Sequence, residues 1–166
     1  MVGQCMEKAK MARDMILQDE DATIKLATKL TEYARAGDAI LLSGPLGAGK
    51  SLFARAFLRA FCHAPSLEVP SPTYTLVQSY EAPSCTVSHF DLWRLGGPDE
   101  LEELGWDEAR EGVVLVEWPQ KLEDLLPEDA LNLEIHVLAD GQRQARLSGW
   151  GERLKEADLA GYGADI

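Results

Sequence analysis

The chain is poor in positive charge and in cysteine, and it has no long apolar run. Sixteen lysines and arginines stand against 28 aspartates and glutamates, a formal net charge of −12. So acidic a surface repels nucleic-acid phosphates over long range, which argues against a protein that grips RNA or DNA unaided. Contact with nucleic acid would need a local basic patch or a partner protein. The three cysteines, Cys5, Cys62 and Cys85, are widely spaced and odd in number. Without a C-x-x-C pair, neither a zinc site nor a disulfide framework is expected. Three free thiols fit a reducing, cytoplasmic setting. No segment has the length needed to span a membrane. Glu7, Lys8, Lys10, Arg13 and Asp14 interrupt any signal-peptide core near the start. Internal repeats and low-complexity linkers are missing too. What remains is 166 residues of ordinary globular composition, enough for one domain with a core.

The most informative stretch is Gly44-Pro45-Leu46-Gly47-Ala48-Gly49-Lys50-Ser51, a complete G-x-x-x-x-G-K-[ST] phosphate loop. It follows an apolar run, Ala39 to Ser43, and opens into a helical pattern from Leu52 to Phe61. A loop in that setting curls its backbone N–H groups around a phosphate. The next helix points its positive N-terminus at the same anion. Lys50 would reach the β- and γ-phosphates, and the Ser51 hydroxyl would ligate Mg²⁺.

Around this loop the chain alternates between strand and helix signals. Asp19-Glu20-Asp21 can cap a helix whose apolar face carries Ile24, Ala27 and Leu30, with Gly37 as its stop. Phe53, Phe57 and Phe61 recur every four residues and predict one packed helix face. Thr73 to Tyr80 and Thr86 to Asp91 predict strands, Pro98 to Glu108 a short acidic helix. Val113 to Glu117 is a continuous apolar run, suited to a central strand buried on both faces. A short helix is expected over Leu122 to Leu126. Leu131 to Leu138 and Gln142 to Ser148 flank Ala139-Asp140-Gly141, a hairpin signal. Gly151 to Ala160 suggests a terminal helix.

The fold class is therefore α/β, a mixed, P-loop NTPase-like sheet flanked by helices, with a C-terminal antiparallel hairpin. Residues 1–18 read as an extension, poorly ordered or helical; 19–150 as the P-loop NTPase-like domain; 151–166 as a tail or short helix. In such sheets ligands lie beyond the carboxyl ends of the strands, where Ser43, Asp91 and Glu117 all fall. Of Asp91 and Glu117, one would complete the Mg²⁺ shell and the other would position the attacking water; which does which stays open. Thr73 lies in a Pro-rich segment that suits a switch loop. His89 shares a strand face with Asp91, as a hydrogen-bond partner near the site or as a structural histidine. Trp118 stacks on the nucleotide, covers the site, or packs as a strand-end aromatic.

Five motifs then occur in order: the phosphate loop, Ser71-Pro72-Thr73-Tyr74-Thr75-Leu76-Val77, His89-Phe90-Asp91-Leu92-Trp93-Arg94-Leu95, Glu102-Glu103-Leu104-Gly105 and Glu117-Trp118-Pro119. Together, from about Asp19 to Leu147, they resemble TsaE, the small bacterial ATPase family of tRNA threonylcarbamoyladenosine (t6A) synthesis. The resemblance implies Mg·ATP binding, slow hydrolysis and assembly with a TsaB–TsaD pair that carries out the transfer to tRNA. The chain itself would not be the transferase and would meet tRNA only through the complex. By motif, Lys50 and Ser51 match the phosphate and Mg²⁺ residues, Asp91 the Walker-B-like acid, and Glu117 the Mg²⁺-associated acid. Thr73 matches the switch threonine, and Thr23 a threonine near the adenine. Three positions depart from the family pattern: Pro45 stands for an acid, Ser51 for threonine and Trp93 for tyrosine. Serine keeps the metal oxygen, whereas Pro45 removes one backbone donor. A small-molecule kinase and a non-hydrolytic nucleotide-gated adaptor are the rival classes.

Overall fold

In the computed structural model, which describes residues 12–157, 159 and 164–165, eight strands form a single mixed sheet. The strands are β1 (Arg13–Leu17), β2 (Ala39–Ser43), β3 (Val77–Glu81), β4 (Thr86–Asp91), β5 (Val113–Glu117), β6 (Leu131–Val137), β7 (Arg143–Ser148) and β8 (Ala164–Asp165). Their order is β3-β4-β5-β2-β6-β7-β1-β8. The pairs β4/β5, β5/β2 and β2/β6 are parallel, and the outer pairs are antiparallel. The helices are α1 (Glu20–Leu30), α2 (Lys50–Phe61), α3 (Asp99–Glu103), α4 (Trp106–Ala109) and α5 (Glu152–Glu156), with a 3-10 segment at Pro119–Leu125.

The central strands are uniformly apolar because both faces are covered. All five residues of β5 are buried, as are Ala39 to Leu42 of β2. One face packs on α1 and α2, where Leu26, Leu30, Phe53 and Phe57 are fully buried. The phenylalanine stripe stacks along α2, with ring centroids 6.3 and 5.5 Å apart. Each such side chain contributes about 1.5–3 kcal/mol of transfer free energy. The other face packs on α3, α4 and the 3-10 segment through Leu101, Trp106 and Leu122. Of the two aspartates in the expected capping cluster, Asp19 caps α1, its Oδ1 accepting from Ala22 N at 2.9 Å, and Asp21 lies in the first turn. The predicted hairpin is the β6/β7 pair.

Several local expectations are corrected. Residues 13–17, expected within a helical or poorly ordered extension, are a strand paired with β7, because Met15 and Leu17 alternate into the core. Residues 1–11 of that extension lie outside the described residues. Helix α1 ends at Leu30 rather than near Gly37, with the Thr31 hydroxyl turned back onto the Thr28 carbonyl. The acidic helix splits in two at Gly105. The strand expected from Thr73 starts only at Val77, since Pro72 to Leu76 closes a turn with Leu76 N on Pro72 O at 2.7 Å. The terminal helix is the short Glu152–Glu156, and Leu154 and Ala157 join the core, so packing continues beyond residue 150.

Candidate nucleotide site

Chain geometry brings the predicted groups to one edge. Strands β2, β4 and β5 run parallel and end together at Ser43, Asp91 and Glu117; Asp91 is directly opposite Glu117 in the register. Beyond β2 the loop turns sharply at Gly44, whose φ is +143°. A Cβ there would sit 2.2 Å from the Ile135 carbonyl of β6, so only glycine lets the loop start so close to the sheet. Gly49 is the left-handed N-cap of α2. Pro45 cannot donate, and its carbonyl accepts from Ala48 N at 3.2 Å, which closes the loop's own turn. The first turn of α2 leaves N–H groups without helical partners, beside Lys50 and Ser51.

A cavity of about 270 Å³ opens on this edge. Leu46, Gly47, Gly49, Lys50 and Ser51 line one side; Thr73, Asp91, Glu117 and Trp118 line the other. The buried Lys50 holds Nζ 2.7 Å from Gly44 O and 4.2 Å from the Trp118 ring centroid. Trp118 has φ +61°, packs on Trp93 at 4.3 Å and lines the cavity, so it is at once a packed strand-end aromatic and a wall of the site. Each acid has an assigned hydrogen-bond donor. Asp91 Oδ1 accepts from Trp93 N at 3.1 Å, and Oδ2 from the Thr73 hydroxyl at 3.3 Å. Glu117 Oε2 lies 2.8 Å from His89 Nε2, with both side chains buried. The histidine is therefore a partner of the site, the first of its two expected roles. Trp93 meets these groups through its backbone N–H, on Asp91, and its ring, on Trp118.

Thr23 lies elsewhere. It is buried on α1 and lines a second cavity of about 330 Å³ with Asp19, Ala48 and Arg143. Gly47, Gly49 and Leu52 line both cavities, so the loop forms a partition between them. Arg94, by contrast, is stacked on Tyr74 at 4.6 Å and is not among the residues lining the cavity beside Lys50 and Ser51. Sequence reasoning missed Arg143, which donates from Nε to Ala48 O and from Nη2 to Gly47 O, both at 3.1 Å. No local motif marks it, because its partners are 95 and 96 residues away.

The family model for threonylcarbamoyl adenosine biosynthesis protein TsaE matches residues 17–145, a span that holds every group just described. The chain belongs to the TsaE family. Its relatives include the tRNA threonylcarbamoyladenosine biosynthesis protein TsaE of Rickettsia felis, 38% identical over 78% of this chain and 75% of that protein. The TsaE protein of Bacillus subtilis is 36% identical over 79% of this chain and 82% of its own length. The crystal structure of Bacillus subtilis YdiB superposes with a TM-score of 0.69 at 25% identity, covering 88% and 90% of the two chains. Membership in the TsaE family ties the chain to t6A biosynthesis. No helix among the described residues is long and apolar enough to cross a membrane.

Proposed function

We propose that this TsaE-family chain is a Mg²⁺-dependent ATPase whose cycle supports t6A modification by a TsaB–TsaD pair. The observation that carries the reading is the convergence of Lys50, Ser51, Asp91 and Glu117 on one cavity behind a phosphate loop. Backbone N–H groups of the loop and the N-terminus of α2 bind the phosphates. Lys50 exchanges its contacts to Gly44 O and Trp118 for β- and γ-phosphate oxygens. The donor set suits Mg²⁺: a hydroxyl and carboxylates are hard oxygen ligands, and phosphate oxygens and waters usually complete such a shell. Ser51 with one or both acids would hold the ion, which supplies neutralisation of charge on the transferring phosphoryl group.

The chain's own residues do the rest. Thr73 fixes Asp91 and His89 fixes Glu117, so neither acid has to be ordered as the reaction proceeds. One acid serves the metal and the other orients water. The cavity beside Thr23 has the size and position for the nucleoside. A part in tRNA modification fits a cytoplasmic protein, and the charge of −12 fits recruitment through protein partners rather than direct binding of tRNA.

The test is phosphate release from ATP, alone and with TsaB–TsaD, for the wild type, Asp91→Asn and Glu117→Gln, titrated with Mg²⁺. Both variants should keep nucleotide binding and lose roughly a hundredfold or more in turnover at the more important acid. The metal-holding acid should raise the Mg²⁺ requirement. The water-orienting acid should lower turnover even at saturating Mg²⁺. Unchanged turnover in both would remove the catalytic reading. ADP formation without phosphate release, and only in the presence of a small-molecule acceptor, would favour the kinase.

A further inference from the structure

Arg143 opens β7, on the hairpin that lies beside the phosphate loop. Its guanidinium spans two consecutive loop carbonyls, Gly47 and Ala48, and also bonds Gly141 in the hairpin turn. A planar fork with several fixed donors matches that arrangement; a lysine point charge does not. The same hairpin meets the loop a second time, where the Ile135 carbonyl lies against Gly44. The β6/β7 hairpin therefore braces the loop at its start and at its middle.

A trans peptide directs C=O and N–H to opposite sides. Holding the Ala48 carbonyl toward Arg143 turns the Gly49 N–H away from it, and holding the Gly47 carbonyl does the same for Ala48 N–H, which bonds Pro45 O. Ala48 lines only the cavity on the Arg143 side, whereas Lys50 and Ser51 line the phosphate side. Released, either carbonyl could rotate toward the phosphates and repel them. We infer that Arg143 is a positioning residue of the phosphate loop: it clamps the Gly47 and Ala48 carbonyls outward, so that the Gly49 N–H faces the polyphosphate and neither carbonyl does.

This rests on the nucleotide reading above, and its test separates the two. ATP and inorganic tripolyphosphate are titrated calorimetrically into wild type, Arg143→Met and Arg143→Lys, and each protein's nucleotide-free melting is recorded. Arg143→Met keeps an aliphatic stem over the hairpin and removes every donor; Arg143→Lys returns one. For the methionine variant, affinity for both ligands should fall about tenfold or more, the scale of one or two lost hydrogen bonds to charged groups. Arg143→Lys should recover part of the loss, with native-like melting. Tripolyphosphate has no base, so its loss reports the loop. Weakened ATP binding with unchanged tripolyphosphate binding would make Arg143 a mere wall of the nucleoside cavity and overturn the inference. So would wild-type affinities in both variants, or an Arg143→Lys protein of native melting that binds no better than an unfolding Arg143→Met. A wild type that binds neither ligand would instead sink the nucleotide reading itself, and this one with it.

Discussion

His89 and Glu117, on neighbouring parallel strands, meet through a 2.8 Å contact between Nε2 and Oε2, and both are almost sealed from solvent. A carboxylate can only accept, so the imidazole donates and fixes one oxygen of Glu117. Glu117 also lines the cavity at the sheet edge.

The bond predicts a graded series. His89→Leu leaves a buried carboxylate oxygen without its donor and should lower ATP hydrolysis by about 10- to 100-fold, the usual scale for such a supporting partner. His89→Gln offers an amide donor and should recover much of it. Nucleotide affinity measured without Mg²⁺ should barely change in either. Equal turnover in the leucine and glutamine variants would show that the hydrogen bond has no role in orienting Glu117.

Lys50 makes a second prediction. Its ammonium already sits at the loop, held by the Gly44 carbonyl and the Trp118 face. Lys50→Ala should lose about 10- to 100-fold in ATP affinity, since one charge-assisted hydrogen bond contributes about 1.5–3 kcal/mol. The melting temperature should stay within a few degrees. Wild-type affinity in a folded Lys50→Ala protein would remove Lys50 from the phosphate site.

A third concerns stability. Arg153 bonds Asp38 with both forks, at 2.7 and 2.8 Å, donates to Tyr33 O and lies on Trp150 at 4.4 Å. The hydrogen bond to Asp38 raises its pKa, with burial working the other way. Arg153→Ala should destabilise the fold by about 2 kcal/mol in urea unfolding, a bidentate pair discounted for partial exposure. Arg153→Lys should recover less than half of that, because a point charge cannot engage both oxygens at once. An unchanged unfolding midpoint in Arg153→Ala would mean that the pair adds nothing net.

How legible was all this in the sequence? Lys50 and Ser51 are legible because a phosphate loop is contiguous, and Asp91 and Glu117 because each ends a segment that reads as a strand. Their meeting is legible only by assuming parallel strands, which the β4/β5/β2 order supplies. Strand β1 was obscured because its inward pair, Met15 and Leu17, is set among Arg13, Asp14 and other charges. The turn before β3 was obscured because Thr73 to Leu76 has strand-forming residues, while backbone bonds to Pro72 and Asp91 close it. Arg143 looks like any strand arginine until the hairpin is folded onto the loop.

The last prediction concerns partners. Leu46, Tyr74 and Trp93 are exposed around the phosphate-side cavity, at 82, 79 and 52%. Two of them neighbour groups that would respond to nucleotide: Tyr74 follows Thr73, and Trp93 packs at a tilt on Trp118. A partner that docks on this rim would therefore feel the γ-phosphate through the Thr73–Asp91 contact. A ligand shifts docking only by as much as it favours one loop state over another. TsaB–TsaD should thus bind the ATP-Mg²⁺, ADP and nucleotide-free forms with measurably different affinities. Trp93→Ala should weaken binding of the tightest form, since exposed aromatics often anchor interfaces. With a net charge of −12, tRNA alone should bind weakly at physiological salt. Titrations of the three forms against TsaB–TsaD, beside a tRNA-only control, decide both points. Equal affinity in all three would remove the switch, and tight, salt-sensitive binding to tRNA alone would overturn the inference drawn from charge.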